Sequence, residues 1–161
     1  MVLTSEPGAT GAISSIIYDG TKIVDYSVQE FKHSGIDGYI AYIKDLQHYF
    51  SIQKLVVESV HSMPGQGVSS TFTFGTRFGE ILGMLKALGI GYELIAPQKW
   101  QKEIGAIKPA STKADKKKTI SEKIIAMYPE TGSLIRGPRA GYKDGVGDAF
   151  GLAHYAFKIY K

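Results

Sequence analysis

The sequence predicts an α/β domain. Its core is a mixed five-stranded sheet, antiparallel over its first three strands and flanked by helices. Two observations carry this. Residues 1–5, 11–18 and 21–29 read as strands separated only by turns, Glu6-Pro7-Gly8 and Asp19-Gly20, and Pro-Gly and Asp-Gly are hairpin-type turn signals. Beyond residue 39, stretches of helical spacing alternate with short apolar runs, a pattern that places helices on both faces of a sheet. With 161 residues the chain is most simply one domain, 1–161, long enough to bury a core.

Taken in order, residues 33–38 read as a loop after the third strand. Residues 39–50 carry Ile40, Ile43, Leu46 and Phe50 on one helical face. Leu55, Val56 and Val57 form a covered strand that ends on Glu58. The chain then breaks at Met63-Pro64-Gly65-Gln66-Gly67. Ser69, Ser70 and Thr71 are N-cap candidates for a helix from about Phe72 to Leu88, with Gly89 and Gly91 as its C-cap glycines. Tyr92–Ala96 reads as a strand and Pro97–Ile104 as a short helix with proline near its start. Residues 105–118 are basic, small and turn-prone, and read as a mobile loop leading into a helix over 119–128 that closes at Pro129. Residues 130–142, with three glycines and a proline, read as a loop. The last helix spans 144–160.

Composition narrows the function. The 19 basic and 15 acidic side chains give a net charge of +4, a mild excess that points toward a polyanionic partner. The chain has no cysteine, which excludes disulfides, thiolate nucleophiles and thiolate metal ligands. Nothing resembles a signal peptide or a membrane-spanning segment, so the expectation is a soluble, cytoplasmic protein. No internal repeat is evident.

Four acids stand at positions that need explaining. Glu58 interrupts an apolar strand, where an acid needs a cation or donor if buried. The alternative is a strand-end acid on a solvated edge. Asp144 and Asp148 lie four residues apart at the start of the last helix and so share a face. Asp144 alone could be a helix cap. Asp148 precedes the apolar run Ala149-Phe150 and wants a cation. Glu6 ends the first strand. Oxygen-only ligands suit Mg²⁺ or Mn²⁺ rather than zinc, and a pair of such ions is the usual apparatus of phosphodiester cleavage.

The string Val-His-Ser-Met-Pro-Gly-Gln-Gly-Val-Ser-Ser-Thr-Phe at 60–72 resembles the RuvC-like Holliday-junction resolvases of bacteriophages and prophages. Other segments agree in order: residues 7–13, Ala96-Pro97-Gln98-Lys99-Trp100, Asp115-Lys116, Tyr128-Pro129, Asp144-Gly145 and Asp148-Ala149. The resemblance implies an RNase H-like fold, which the element order also suits. It implies a homodimer that cuts four-way DNA junctions with Mg²⁺ or Mn²⁺, two ions per site. Carried across by position, the catalytic and metal-binding residues are Glu6, Glu58, Asp144 and Asp148. One departure stands out: the family has Asp before Pro-Gly where this chain has Glu6. Glu adds roughly 1.5 Å of reach, and misplacement of about 1 Å can lower a rate on the order of a hundredfold. The cellular setting implied is the cytoplasm of an infected or lysogenic bacterial host.

Further residues are candidates for holding DNA: Gln66, Ser69 and Ser70 in the glycine loop, Arg77 and Lys99, and the basic run Lys113, Lys116, Lys117 and Lys118. The bland reading of that run is a solvated charged face. Gly75, Gly79 and Gly83 form a stripe on one helix. Each costs up to ~1 kcal/mol relative to Ala, so a backbone should approach there, either the sheet of the same chain or the same helix of a second subunit. Phe72, Phe74 and Phe78 read as core or interface, with Phe74 alternatively a wedge at a junction centre. Trp100 packs or, beside Lys99 and Lys102, stacks on a base. His61 and His154 lack zinc spacing, and His154 reads as a helix-surface residue. The function that follows is metal-dependent, structure-selective resolution of four-way junctions. The alternatives are an RNase H-like flap or fork nuclease, or a branched-DNA-binding protein whose cleavage is attenuated by Glu6.

Overall fold

A computed structural model describes residues 1–61, 65, 67–107, 112–138 and 141–160, without the side chains of Lys113 and Asp144. The elements are β1 (Val2–Glu6), β2 (Ala12–Asp19), β3 (Lys22–Glu30), α1 (Phe31–Gln47), β4 (Lys54–Glu58), α2 (Val68–Ala87), β5 (Gly91–Ile95), α3 (Pro97–Ile104), α4 (Lys113–Met127), a 3₁₀ turn at Pro129–Thr131, α5 (Gly132–Ile135) and α6 (Asp144–Tyr160). The five strands lie in the order β3-β2-β1-β4-β5. The first three are antiparallel, whereas β4 runs parallel to both β1 and β5.

Strand alternation sorts the core onto two faces. Leu3, Ile13, Leu55 and Val57 point to one side and pack with Tyr39 and Ile43 of α1 and Ile81 and Leu85 of α2. Val2, Ala12 and Val56 point to the other and pack with Trp100 of α3, Ile120 and Ile124 of α4, and Val146, Ala149 and Phe150 of α6. The expected five-stranded sheet with helices on both faces is therefore present. The bounds of α3 and α6 are those the sequence predicts.

Several local expectations are corrected. Asp19 pairs with Lys22, so the hairpin loop is Gly20-Thr21, with Gly20 taking the left-handed conformation (φ +56°). Residues 33–38 are helical rather than a loop. Phe31 and Ile36 anchor that turn to the core, and a kink at Gly35 (φ 60°, ψ −160°) marks where two helical pieces join. Phe50 lies beyond the end of α1. The helix expected from Phe72 begins at Val68 with Gly67 as its N-cap, so Ser69, Ser70 and Thr71 sit within its first turn and do not cap it. Gly91 opens β5, leaving Gly89 (φ +67°) as the helix-ending glycine. Lys113 to Lys118 belong to α4, not to a loop. Thr112 Oγ1 accepts from the Asp115 N–H at 3.1 Å and Asp115 Oδ2 accepts from the Thr112 N–H at 3.0 Å, a capping box that starts the helix six residues before its apolar face becomes evident. Within 130–142 the chain forms the 3₁₀ turn, α5 and a bridge between Arg136 and Tyr142.

The glycines that permit close packing are not the ones the stripe on α2 suggested. A Cβ at Gly75, Gly79 or Gly83 would meet nothing within 4 Å, so the sheet of the same chain does not explain them. On α6, by contrast, a Cβ at Gly145 would fall 1.8 Å from the Thr10 carbonyl oxygen, and one at Gly151 2.7 Å from the Trp100 ring. These glycines seat α6 directly on the loop between β1 and β2 and on α3. Among the described residues, no helix is long and apolar enough to cross a membrane.

Candidate active site

The site lies where β1 and β4 end side by side. Thr4 is opposite Val56 and Ser5 opposite Val57 in the parallel ladder. One residue further on, the two strands end at Glu6 and Glu58. Both acids take the parity of Thr4 and Val56, which face α6. The helix is fixed there by two buried hydroxyls: Thr4 Oγ1 donates to the Ala149 carbonyl at 3.0 Å and Ser14 Oγ donates to the same oxygen at 3.1 Å. A buried hydroxyl needs such a partner, so two strands hold α6 at the residue next to Asp148.

A cleft of about 820 Å³ opens over this point, and its walls include Glu6, Glu58, Asp148, His61, Ser70, Phe74, Gln98, Gln101, Lys116 and Lys117. Glu58 is only 7 % exposed, so the solvated-edge reading does not hold. The fully buried Trp100 donates its indole N–H to Glu58 Oε1 at 3.1 Å. Trp100 is therefore a core residue that orients an acid, and base stacking by it is ruled out. Burial raises the Glu58 carboxyl most, and the Asp148 charge adds to that. The Trp100 hydrogen bond and the Lys117 charge act in the opposite direction, and the balance leaves Glu58 at about 7.

These residues fit a divalent cation by donor chemistry. Two carboxylates that resist ionising together at the floor of a cleft gain from a shared cation, and oxygen-only donors suit Mg²⁺ or Mn²⁺. Among the described residues no three His, Cys, Asp or Glu side chains are gathered closely enough to form a metal site on their own. The Asp144 side chain lies outside the described residues. Its backbone opens α6, one turn before Asp148.

The DNA-binding candidates separate. Ser70, Lys116 and Lys117 line the cleft. Lys118 is exposed and pairs with Glu122 at 3.9 Å. Ser69 and Lys99 are exposed and outside the cleft wall. Arg77 donates to Glu80 Oε2 at 2.8 Å and lies over the Phe31 ring at 4.6 Å, engaged within its own chain. Gln66 and the Lys113 side chain lie outside the described residues. Of the phenylalanines, Phe78 packs into the core beside α1, Phe74 lines the cleft and Phe72 is 75 % exposed. His154 is not a simple surface residue: its Nδ1 shares a 2.5 Å hydrogen bond with the Tyr128 hydroxyl, and burial lowers its pKa.

Sequence reasoning missed three contributors: the Trp100 hydrogen bond, the Thr4 and Ser14 contacts to α6, and an ion pair between Glu30 and Lys143 at 2.8 Å. A buried indole N–H seeks an acceptor, so Trp100 offered a usable signal. The others depend on long-range pairing.

The Glu58 environment yields a pH prediction. A carboxyl with a folded pKa near 7 and an unfolded pKa of 4.5 holds its proton longer in the folded state. The metal-free protein therefore loses stability as pH rises from about 4.5 to 7. Glu58→Gln keeps an acceptor for Trp100 and removes the charge. Thermal melts in EDTA should show Glu58→Gln more stable than the parent at pH 8 and nearly equal at pH 5. A difference that is the same at both pH values would contradict this assignment.

Neither a family model nor a curated protein matches the sequence. Solved structures do. Thermus thermophilus RuvC in complex with Holliday junction substrate matches with a TM-score of 0.60 and 14 % identity, over 98 % of this chain and 94 % of that one. A second Thermus thermophilus RuvC structure matches with a TM-score of 0.54 and 16 % identity, over 98 % and 96 %. Fowlpox virus resolvase in complex with Holliday junction DNA matches with a TM-score of 0.59 and 14 % identity, over 99 % of both chains. The chain thus has the RuvC-type, RNase H-like fold that its element order implies.

Proposed function

We propose that this protein, as one domain over residues 1–161, is a metal-dependent endonuclease that resolves four-way DNA junctions. The observation that carries this reading is the buried Glu58 held against Asp148 in a cleft walled by Lys116 and Lys117. An acid pair of this kind is costly to a fold and useful to a nuclease. The structural likeness to two resolvases seen with junction DNA supports the choice of substrate.

In this reading Glu6, Glu58, Asp144 and Asp148 hold Mg²⁺ or Mn²⁺, two ions per site, whose chemistry is to activate a water and stabilise the leaving 3′-oxygen. The protein supplies the rest. Trp100 fixes the Glu58 carboxylate by its indole N–H. Lys116 and Lys117 meet the phosphate backbone from the α4 wall and Ser70 from the start of α2. Phe74, between Ser70 and the loop at Gly8, forms an apolar edge at the cleft mouth.

The exposed face of α2 supports a dimer. Val68 and Phe72 are 87 % and 75 % exposed, and they continue the stripe of Gly75, Gly79 and Gly83 at spacings that share one helical face. Among the described residues, nothing lies within 4 Å of where a Cβ at any of the three glycines would sit. Two such helices crossing about a two-fold axis bury both phenylalanines and bring the backbones close. A two-fold dimer then presents two clefts to the two-fold symmetry of a junction.

Cleavage of a four-way junction should require Mg²⁺ or Mn²⁺ and stop in EDTA. Asp148→Asn should abolish cutting while binding the junction as tightly or more tightly, because it removes a negative charge beside phosphates. A wild-type protein that binds junctions in Mn²⁺ but leaves them intact would favour the DNA-binding alternative. Preferential cutting of flaps or forks would reassign the substrate.

Sedimentation at micromolar concentration should show a dimer for the parent and a monomer for Phe72→Lys. A monomeric parent, or a variant that stays dimeric, would remove α2 as the interface.

A further inference from the structure

Outside the cleft, distant parts of the chain also meet through charge at the pair formed by Glu30 and Lys143. Glu30 is the last residue of β3. It stands opposite Ala12 of β2, which in turn stands opposite Glu6 of β1, so Glu30 and Glu6 occupy one row across three strands. Lys143 immediately precedes α6. Its Nζ donates to Glu30 Oε1 at 2.8 Å, and Glu30 Oε2 also meets Lys32 at 3.1 Å and His33 at 3.8 Å. The Lys143 backbone is equally committed. Its N–H donates to the Ile135 carbonyl at 2.8 Å, and its carbonyl accepts from Val146 and Gly147 at 3.0 Å. Two residues on, Gly145 rests against the Thr10 carbonyl with no room for a Cβ. The first turn of α6 is therefore pressed onto the loop after β1 and tied by charge to the end of β3. Neither Glu30 nor Lys143 lines the cleft.

We infer that Glu30 and Lys143 are a positioning pair, which sets the first turn of α6, and with it Asp148, against Glu6 and Glu58 of the sheet. The inference rests on the proposed metal-dependent nuclease site. Without the tie, α6 keeps its Thr4 and Ser14 anchors at Ala149 and the backbone bonds of Lys143, but its first turn loses its charge link to the end of β3 and can shift. The backbone at residue 144 then moves most, since it adjoins Lys143. Loss of the pair spoils cation geometry without removing any ligand, and shifts of about 1 Å lower rates on the order of a hundredfold.

The test uses Lys143→Gln, Glu30→Gln and the double variant in the full chain. Two readouts are taken well below the melting temperature: Mn²⁺ affinity of the protein alone, from the electron paramagnetic resonance of free Mn²⁺, and four-way junction cleavage with junction affinity measured in parallel. Each single variant should bind Mn²⁺ more weakly and cut about 10- to 100-fold more slowly, with junction affinity within about twofold of the parent. The double variant should be no worse than the worse single, as for two ends of one interaction. Parental Mn²⁺ affinity and turnover with only a lowered melting temperature would reduce the pair to packing and overturn the inference. Loss of junction affinity in Lys143→Gln alone would make Lys143 a DNA contact and overturn it too. If the parent binds Mn²⁺ but cuts no junction, the proposed function fails and Mn²⁺ affinity alone decides the pair. If the parent binds no Mn²⁺, both readings fall.

Discussion

The seating of α6 on the sheet is the constraint from which the rest of the site follows. Thr4 and Ser14 sit in adjacent strands with their hydroxyls 2.9 Å apart, and each is placed to donate its one proton to the Ala149 carbonyl. Hydroxyls buried this deeply hold the helix at a definite height, because losing either partner strands a polar group away from water. Gly145 and Gly151 remove the side chains that would push the helix off. The outcome is that Asp148, one residue before the anchored carbonyl, stands within electrostatic reach of Glu58 at the end of β4. A small change in that height would separate the two acids.

That geometry is not the one a purely structural protein would keep. Glu58 is buried, close to a second acid, and raised to about 7 by burial and by Asp148. Trp100 and Lys117 relieve part of the strain without cancelling it. Sites that hold perturbed carboxylates in a cleft trade stability for function, and the wall of Lys116 and Lys117 indicates what kind of ligand the trade serves. A polyanion brings phosphate charge toward the acids, which again calls for a cation. In the proposed function the acids, lysines and cleft are mutually dependent: without a cation, the acids would repel one another and a phosphate-bearing substrate.

Most of the sheet was legible in the sequence because it is written locally. Pro7-Gly8, Asp19-Gly20 and the apolar run at Leu55–Val57 are short-range signals, and α3 begins at its proline as expected. Three of the local misreadings have identifiable causes. The capping box at Thr112 and Asp115 was overshadowed by four lysines, so the start of α4 was read as loop. Phe31 and Ile36 held residues 33–38 in a helix despite two glycines. Ser69, Ser70 and Thr71 looked like caps, yet Val68 entered the helix ahead of them. Within the site, Glu6, Glu58 and Asp148 line one cleft, and each is legible as a candidate because strand ends and a helix start are local features. What joins them was not legible. The Trp100 bond to Glu58, the Thr4 and Ser14 bonds to α6, and the Glu30 pairing with Lys143 link residues 42 to 145 positions apart, and only the folded register brings them together. The glycine stripe on α2 was noticed for a sound energetic reason, although the same-chain explanation for it failed.

The central claim is that Glu58 and Asp148 share a divalent cation at the floor of the cleft. Anomalous diffraction from crystals equilibrated with Mn²⁺ addresses it most directly. The expected result is a Mn²⁺ peak between the ends of β1 and β4 and the first turns of α6, coordinated by Glu58 and Asp148 and absent in Glu58→Gln crystals treated identically. An empty cleft at saturating Mn²⁺, or a peak that persists unchanged in Glu58→Gln, would contradict the claim.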